Sequence, residues 1–393
     1  MQNIIEKDKA YVAGTYARFP VAIVRGKGSE LFDESGKRYI DMGSGIGVTG
    51  FGTADDEWIS AVTAQLGKVQ HTSNLYYTEP CAALAELLCE KTGFKKVFFS
   101  NSGAEANECA IKAARKYAAE KHGADCYTIV TLRNSFHGRT LTTLAATGQE
   151  HYHELFQPLT PGFAHISVSA DSIYELTAMA AKTKIAAILF ECVQGEGGVL
   201  PIPKQFLTEV AEFAKKHDIL LIADEVQTGN GRTGTLYAYM QCGIQPDIVT
   251  TAKGLGGGLP IGATLLGEKV ENVLGHGDHG STYGGNPIAC AGAYSILSRI
   301  DDKLLSDVKA KSEYIFKAFA DAKGVESMSG MGLMIGIKPK HRSAIEIVKE
   351  CNEKGVLCLT AKDKVRLLPA LNIPMDVLAE AVAVIKEACE KEV

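Results

Sequence analysis

The chain has 393 residues, 46% of them hydrophobic and 22% charged, and carries a net charge of −5. This composition excludes a disordered chain, and the length predicts two or three domains. The acidic balance argues against nucleic-acid and anionic-membrane partners, which bind basic surfaces. No apolar run approaches the roughly 18 residues of a membrane-spanning helix, and the N-terminus lacks the apolar core of a signal peptide.

Cysteine and glycine are distributed very differently along the chain. The ten cysteines are scattered and form no C-x-x-C motif, so we expect reduced, mostly buried thiols in a cytoplasmic protein without a metal site. Glycine is concentrated, because residues 195–285 hold 18 of the 40, about twice the share of an even distribution. Glycine allows sharp turns and close backbone approach, so this segment is expected to surround a ligand.

Three segments are predicted in chain order. Residues 1–50 form an extended arm with a small hairpin, turned at 34–36, that packs with the last segment. Residues 51–285 form a large α/β domain. Residues 286–393 form a smaller α+β domain, with helical patterns at 287–300, 303–322, 342–354 and 375–391 and strands at 324–338 and 355–369.

Within the large domain, short apolar runs alternate with helical patterns. Nearly continuous apolar strands of this kind are typical of a mostly parallel sheet with helices on both faces. The predicted strands are Lys96–Ser100, Thr128–Leu132, Ile185–Glu191, Ile219–Ala223 and Asp247–Thr251.

In such sheets, ligands bind outside the carboxyl ends of the strands, and polar residues follow several of these strands. Ser102, Gly103 and Ala104 lie between the first strand and a helix, where free N–H groups suit a phosphate. An ordinary helix cap, with Glu105 as its acidic residue, explains the same residues equally well. Phe136 follows the second strand, and a solvated loop with one anchored ring is the alternative there.

A carboxylate and a lysine follow two later strands. Asp224 closes an apolar strand, where its burial is costly unless a donor meets it; a capping or solvent-facing aspartate is the commoner case. Lys253 stands between a strand and a glycine-rich loop. Crowding there would lower its pKa and make it a nucleophilic amine, whereas most lysines at turns are simply solvated.

The joint placement of these residues favours one cofactor, pyridoxal 5′-phosphate (PLP). The lysine would form the Schiff base, the acid would pair with the pyridine nitrogen and the helix N-terminus would take the phosphate. A second glycine motif, at 45–50, matches G-x-G-x-x-G but lacks the βαβ unit of a dinucleotide site.

Six motifs resemble those of the class III PLP-dependent aminotransferases, and the resemblance runs from about Tyr16 to residue 374. It implies PLP fold type I: a mostly parallel sheet with helices on both faces, and a smaller α+β C-terminal domain. It also implies a homodimer with shared active sites. The motifs are SNSGAEANE (100–108), SFHGRT (135–140), QGEGG (194–198), ADEVQTGNGRTG (223–234), TTAKGLGGGLPIGA (250–263) and GSTYGGNP (280–287).

The resemblance implies two catalytic residues and a cofactor-binding set. Lys253 would hold the cofactor, and Asp224, with Glu225 beside it, would meet the pyridine nitrogen. The remaining contacts would be Phe136 and Val226 on the two ring faces, Gln227 at the phenolic oxygen, Ser102, Gly103 and Ala104 at the phosphate, and the partner subunit's Thr282 at the same phosphate.

Five further residues resemble the substrate contacts of the family. Arg366 would grip an α-carboxylate, and Glu196 would act as a gate by pairing with it. Tyr16, Arg139 and Ser281 would line the substrate pocket.

The motifs most closely resemble members that transfer an amino group between N-acetylornithine and 2-oxoglutarate in arginine biosynthesis. The partners expected are therefore an amino donor and a 2-oxo acid. Three alternatives remain open at this point. They are another ω-aminotransferase, acting on ornithine, succinylornithine, 4-aminobutyrate or a lysine-derived semialdehyde; a PLP aminomutase or racemase; and a non-catalytic binding protein.

Overall fold

A computed structural model describes residues 3–391. Its centre is a seven-stranded sheet in which every strand except Gly262–Leu266 runs parallel to the others, as the sequence predicts. From one edge to the other, the strands are Lys96–Ser100, Gly262–Leu266, Ile248–Thr251, Leu220–Asp224, Ile185–Phe190, Thr128–Leu132 and Phe163–Ile166.

Two strands of this sheet were not predicted. Phe163–Ile166 has only four residues and carries a histidine, so its apolar pattern is weak. Gly262–Leu266 directly follows the glycine-rich loop after Lys253, and its five residues are all buried between two neighbouring strands. Both strands are defined by the pairing of their backbones rather than by a local pattern.

Hydrophobic side chains cover both faces of the sheet. Along Leu220–Asp224, for example, Leu220 and Ile222 pack in one core, while Leu221 and Ala223 pack in another. This alternation follows from the two-residue period of a strand. The covering helices are Asp56–Leu66, Glu79–Thr92, Gly103–His122, Leu141–Ala146, Ser172–Ala180, Lys204–Lys216, Tyr239–Cys242 and Pro287–Ser298.

A separate core lies in the C-terminal part of the chain. It is built from buried residues between Val308 and Cys389, together with Ile40 and Met42 from the N-terminal hairpin. Its four-stranded sheet contains Val325–Met331, Met334–Pro339, Lys364–Leu367 and Leu359–Ala361, and its helices are Asp302–Phe319, Ala344–Glu353 and Met375–Glu390.

The helix Pro287–Ser298 corrects one expectation about this division. Its residues Ala289, Cys290 and Ala293 pack into the large core against the helices of the N-terminal half, although the sequence boundary at residue 286 assigned them to the small domain. An apolar helix gives no local sign of which core it joins, because that depends on its partners.

The N-terminal hairpin joins the C-terminal part through backbone pairing. Its strands are Ile23–Lys27, Glu30–Asp33 and Arg38–Asp41, and the strand Val356–Leu357 pairs parallel with Arg38–Asp41. The predicted hairpin is therefore present, and it packs with the small core. The remaining elements are the helices Ile4–Tyr11 and Ser44–Gly47, the two-stranded sheet of Val193–Gln194 and Leu200–Pro201, and 3-10 turns at Glu150–Tyr152 and Lys253–Leu255.

Across residues 3–391, the structure contains no helix that combines the length and apolar character needed to cross a membrane.

Candidate active site

A cavity of about 440 Å³ opens at the carboxyl ends of the parallel strands. It collects residues from five strand-end loops that are far apart in the sequence. Its lining residues are Val48, Asn101, Ser102, Gly103, Ala104, Asn107, Phe136, His137, Gly138, Arg139, Glu191, Asp224, Val226, Gln227, Ala252, Lys253, Gly258, Leu259, Pro260 and Ile261.

One end of the cavity is the N-terminus of the helix Gly103–His122. Ser102 caps this helix by accepting a hydrogen bond from the Glu105 N–H at 3.2 Å, as the helix-cap interpretation predicts, whereas the Glu105 carboxylate accepts from the Asn101 N–H. The first N–H groups of the helix, at Gly103 and Ala104, have no partner within the helix. A Cβ on Gly103 would lie 2.6 Å from a methyl carbon of Val226, so only glycine lets the two loops approach this closely. The result is a helix N-terminus in the cavity wall, a geometry that suits an anion.

Asp224 lies deeper, buried at the end of the central strand Leu220–Asp224. Its Oδ2 accepts hydrogen bonds from Asn107 Nδ2 and His137 Nδ1, both at 2.8 Å, and its Oδ1 accepts one from the Val226 N–H at 3.0 Å. These three donors satisfy the requirement that a buried carboxylate be partnered, and they fix its orientation.

Lys253 follows the next strand, Ile248–Thr251, and lines the same cavity. Burial lowers the pKa of its amine; the charge of Arg366 lowers it further, while the carboxylates of Glu196, Asp224 and Glu191 act in the opposite direction. A lowered pKa increases the fraction of neutral amine, which is the nucleophilic and basic form. The backbone of Lys253 has a φ of 43°, a strained conformation typical of functional positions.

An ion pair adjoins the cavity through Gln227. Arg366 Nη1 donates to Glu196 Oε1 at 2.5 Å and to Gln227 Oε1 at 3.2 Å, and Gln227 Nε2 donates to Glu196 at 3.3 Å. Burial by itself would raise the pKa of Glu196, but the charge and hydrogen bond of Arg366 outweigh it and the pKa is lowered. The Nε of Arg366 is buried without a partner, so the guanidinium has a donor to spare.

Aromatic rings form another wall of the cavity. Phe136 contacts Tyr152 edge to face, with ring centroids 5.9 Å apart. The guanidinium of Arg139 lies 4.1 Å from the Tyr152 ring centroid and 5.4 Å from that of Phe136. These cation–π contacts hold the exposed Arg139 at the cavity without any acidic partner among the described residues.

The structure brings most of the predicted site residues together. The cavity is lined directly by Ser102, Gly103, Ala104, Phe136, Arg139, Asp224, Val226, Gln227 and Lys253. Glu196 and Arg366 adjoin it through Gln227. Ser281 adjoins it through Asn101, whose Nδ2 donates to the Ser281 hydroxyl at 3.1 Å.

Three predicted residues lie outside the cavity. Tyr16 is 73% exposed on the N-terminal arm, and Thr282 is exposed on its loop. Glu225 is fully buried, but its carboxylate accepts hydrogen bonds from the Tyr239 N–H at 2.8 Å and from the Thr228 hydroxyl at 2.5 Å. It thus holds the loop after Asp224. Consecutive side chains at the end of a strand point in opposite directions, so Asp224 and Glu225 do not share the cavity.

Sequence reasoning missed three polar residues of the site: Asn107, His137 and Glu191. The first two lie within motifs that were recognised, one helical turn after Gly103 and next to Phe136. Glu191 accepts hydrogen bonds from the Phe136 N–H at 3.0 Å and the Gly195 N–H at 3.4 Å. Burial, and secondarily the charge of Asp224, raises the pKa of Glu191 well above its usual range. In the sequence, the feature that could have identified Glu191 was its position at the end of a predicted strand.

Comparisons with known proteins agree with this geometry. Residues 11–389 match the family model described as "Aminotransferase class-III". The acetylornithine aminotransferase of Haemophilus ducreyi is 50% identical over 386 residues, covering 98% of each chain, and that of Methanocaldococcus jannaschii is 43% identical, covering 94% of each.

Solved structures give the same assignment. The N-acetylornithine aminotransferase of Stenotrophomonas maltophilia superposes with a TM-score of 0.84 at 36% identity, covering 98% of both chains. The ornithine aminotransferase of Toxoplasma gondii, in a structure that reports partial occupancy of PLP at its active site, superposes with a TM-score of 0.92 at 29% identity, covering 98% of this chain and 93% of the other. With the cavity, its lysine and its carboxylate in the arrangement described above, the chain belongs to the class III aminotransferases.

Proposed function

We propose that this aminotransferase binds PLP in the cavity and transfers an amino group between N-acetylornithine and 2-oxoglutarate. The observation that carries the proposal is the placement of Lys253 and Asp224 at the ends of adjacent parallel strands, with a helix N-terminus in the same cavity wall. The relatives at 50% and 43% identity, named for acetylornithine, support the choice of donor.

The residues present fit PLP at each of its polar groups. The unpaired N–H groups of Gly103 and Ala104 suit its phosphate, and Asp224 suits its pyridine nitrogen. Gln227 lines the cavity with an amide that would reach the phenolic oxygen, while Phe136 and Val226 would pack on the two faces of the ring. Glu225 instead holds the loop, as its hydrogen bonds indicate.

When bound, PLP would supply an electron sink for the pair of electrons released as the donor's C–H bond breaks. The protein's part is then to move that proton. Lys253 Nζ, with its lowered pKa, would take the proton from the carbon of the donor that carries the amine and hold it for return in the second part of the transfer. Asp224 would pair with the pyridine nitrogen and favour its protonated form. Phe136 would cover one face of the ring.

Charge at the cavity suits two substrates in turn. With Glu196 paired to Arg366, Arg139 is the cation left for a carboxylate, which suits a donor that presents one carboxylate and a distal amine. If Glu196 moves away, both arginines become available, which suits the two carboxylates of 2-oxoglutarate. Movement of one side chain thus allows a single cavity to serve both half-reactions.

A panel of amino donors with 2-oxoglutarate tests this proposal, with absorbance of the cofactor as the readout. We expect N-acetylornithine to give the highest kcat/KM among the panel of ornithine, succinylornithine, 4-aminobutyrate and lysine. A higher kcat/KM for another donor would change the assigned substrate and leave the assigned reaction, amino-group transfer, unchanged. Turnover of one substrate without any 2-oxo acid would instead indicate an aminomutase or racemase.

We also propose that the active form is a homodimer in which the partner subunit's Thr282 completes the phosphate site. Thr282 is exposed and lies outside its own cavity. Its neighbour Tyr283 is 62% exposed, and the Tyr283 ring lies 5.5 Å from the ring of His71. Two further apolar side chains a few residues after His71, those of Leu75 and Tyr76, are 85% and 71% exposed. An apolar patch of this kind is typical of a subunit interface.

Two broader expectations remain proposals. We place the boundary between the large and small domains near residue 300, supported by the two hydrophobic cores that meet there. We propose a cytoplasmic location, supported by ten cysteines that are all free and mostly buried.

A further inference from the structure

A chain of buried hydrogen bonds runs from Asp224 through Asn107 to Thr250. Asn107, 1% exposed, donates through Nδ2 to Asp224 Oδ2 and to the His137 carbonyl oxygen, both at 2.8 Å. Its Oδ1 accepts a hydrogen bond from the Thr250 hydroxyl at 2.7 Å. Both ends of the amide are therefore partnered.

Three partners together determine which way this amide points: two acceptors take its NH₂ group, and the Thr250 hydroxyl donates to its oxygen. A rotated amide would place its oxygen against two acceptors, the Asp224 carboxylate and the His137 carbonyl, and its NH₂ group against Thr250. The present orientation lets the Thr250 O–H donate to the amide oxygen and leaves the NH₂ group for Asp224. Without that donor, the buried amide oxygen would lose its hydrogen-bond partner, and Asn107 would be held from its NH₂ side alone.

Thr250 itself does not line the cavity. It lies on Ile248–Thr251 in register with Asp224 on the neighbouring strand, and its side chain is fully buried. Its hydroxyl is connected to the site through Asn107, the residue to which it donates. That residue lies on the helix whose N-terminus forms the anion site, so one helix positions both the phosphate end and the carboxylate end of the cavity.

We propose that Thr250 and Asn107 are positioning residues that set the orientation of Asp224 toward the cofactor's pyridine nitrogen. This inference rests on the function proposed above, in which Asp224 pairs with that nitrogen. It assigns a role in cofactor binding to a threonine that touches neither the cofactor nor the substrate.

The pair of variants Thr250→Val and Thr250→Ser tests it. Valine keeps the shape of threonine and loses the hydroxyl, whereas serine keeps the hydroxyl and loses a methyl group. We expect Thr250→Val to weaken PLP binding to the cofactor-free protein by about fivefold to tenfold, the value of one lost hydrogen bond, and to change the absorbance of the bound cofactor. Thr250→Ser should stay within about twofold of the wild type, although its missing methyl lowers the thermal unfolding midpoint.

Thr264 provides a matched control. It lies directly opposite Thr250 on the antiparallel neighbour Gly262–Leu266, is equally buried, and donates its hydroxyl to the Ala106 carbonyl at 2.8 Å rather than to Asn107. Thr264→Val should lose stability without a change in PLP affinity or absorbance.

Three results would overturn the inference. They are wild-type PLP affinity and absorbance in Thr250→Val, equal weakening in Thr250→Ser, and equal weakening in Thr264→Val. A purely packing role for Thr250 predicts the reverse order, with serine worse than valine. A wild-type protein that does not bind PLP would instead refute the proposed function itself, and so the two failures are distinguishable.

Discussion

The ion pair between Glu196 and Arg366 makes the proposal of two alternating substrates testable with one substitution. Glu196→Gln keeps the size of the side chain and removes its charge. Arg366 would then be a cation in a site where its side chain is only 4% exposed. The variant should bind the α-carboxylate of 2-oxoglutarate without first displacing an internal carboxylate.

The magnitude is that of a contact ion pair, whose centres of charge lie about 4 Å apart. Two unit charges about 4 Å apart interact by about 4 kcal/mol at an effective dielectric constant of about 20. The Glu196 side chain is 26% exposed, so solvent screens part of this interaction. We take the interaction energy that remains after screening as about 2 kcal/mol, which corresponds to about thirtyfold in an equilibrium constant.

The assay separates the two half-reactions in single-turnover experiments. We expect Glu196→Gln to tighten apparent binding of 2-oxoglutarate by up to about thirtyfold. It should also impair the reaction of N-acetylornithine, because a bare Arg366 draws the donor's carboxylate to the wrong position. PLP retention should be unchanged. Glu209→Gln, at a half-buried position on the helix Lys204–Lys216 outside the cavity, is the control. Equal changes in both half-reactions would refute the gate.

Four further outcomes are expected. Lys253→Ala should abolish turnover and the covalent attachment of PLP trapped by borohydride; normal turnover would remove Lys253 from the mechanism. Asp224→Ala should slow the chemical step by several orders of magnitude, and a near-wild-type single-turnover rate would contradict its role. Mixing inactive Lys253→Ala with inactive Thr282→Glu should restore activity, since a mixed dimer contains one intact site; no recovery would place Thr282 within its own subunit. Burial raises the pKa of Glu225 to about 7, so the native protein favours its protonated form and loses stability as the pH rises from about 4.5 to 7. In denaturant unfolding, the stability of Glu225→Gln relative to the wild type should therefore rise by about 2–3 kcal/mol between pH 5 and pH 8, and a constant difference would contradict this.

The sequence allowed much of this site to be predicted, because the chemistry-bearing residues follow strands that are recognisable by their apolar runs. Asp224 and Lys253 stand directly after such runs, and the glycines between 195 and 285 include those that allow close backbone approach, such as Gly195 against Gln227. Local pattern was sufficient here since each feature belongs to one short segment.

Tertiary structure decided what depends on segments far apart in the chain. The helix Pro287–Ser298 joined the large core because its packing partners are there, and Glu225 faced away from the cavity because strand geometry separates it from Asp224. The same holds for the hydrogen bonds that bring Thr250, Asn107 and Asp224 together. By itself, the sequence predicted most of the residues expected to carry the chemistry. Only the folded chain determined which of them meet, since a hydrogen bond requires a distance and an angle that no single segment contains.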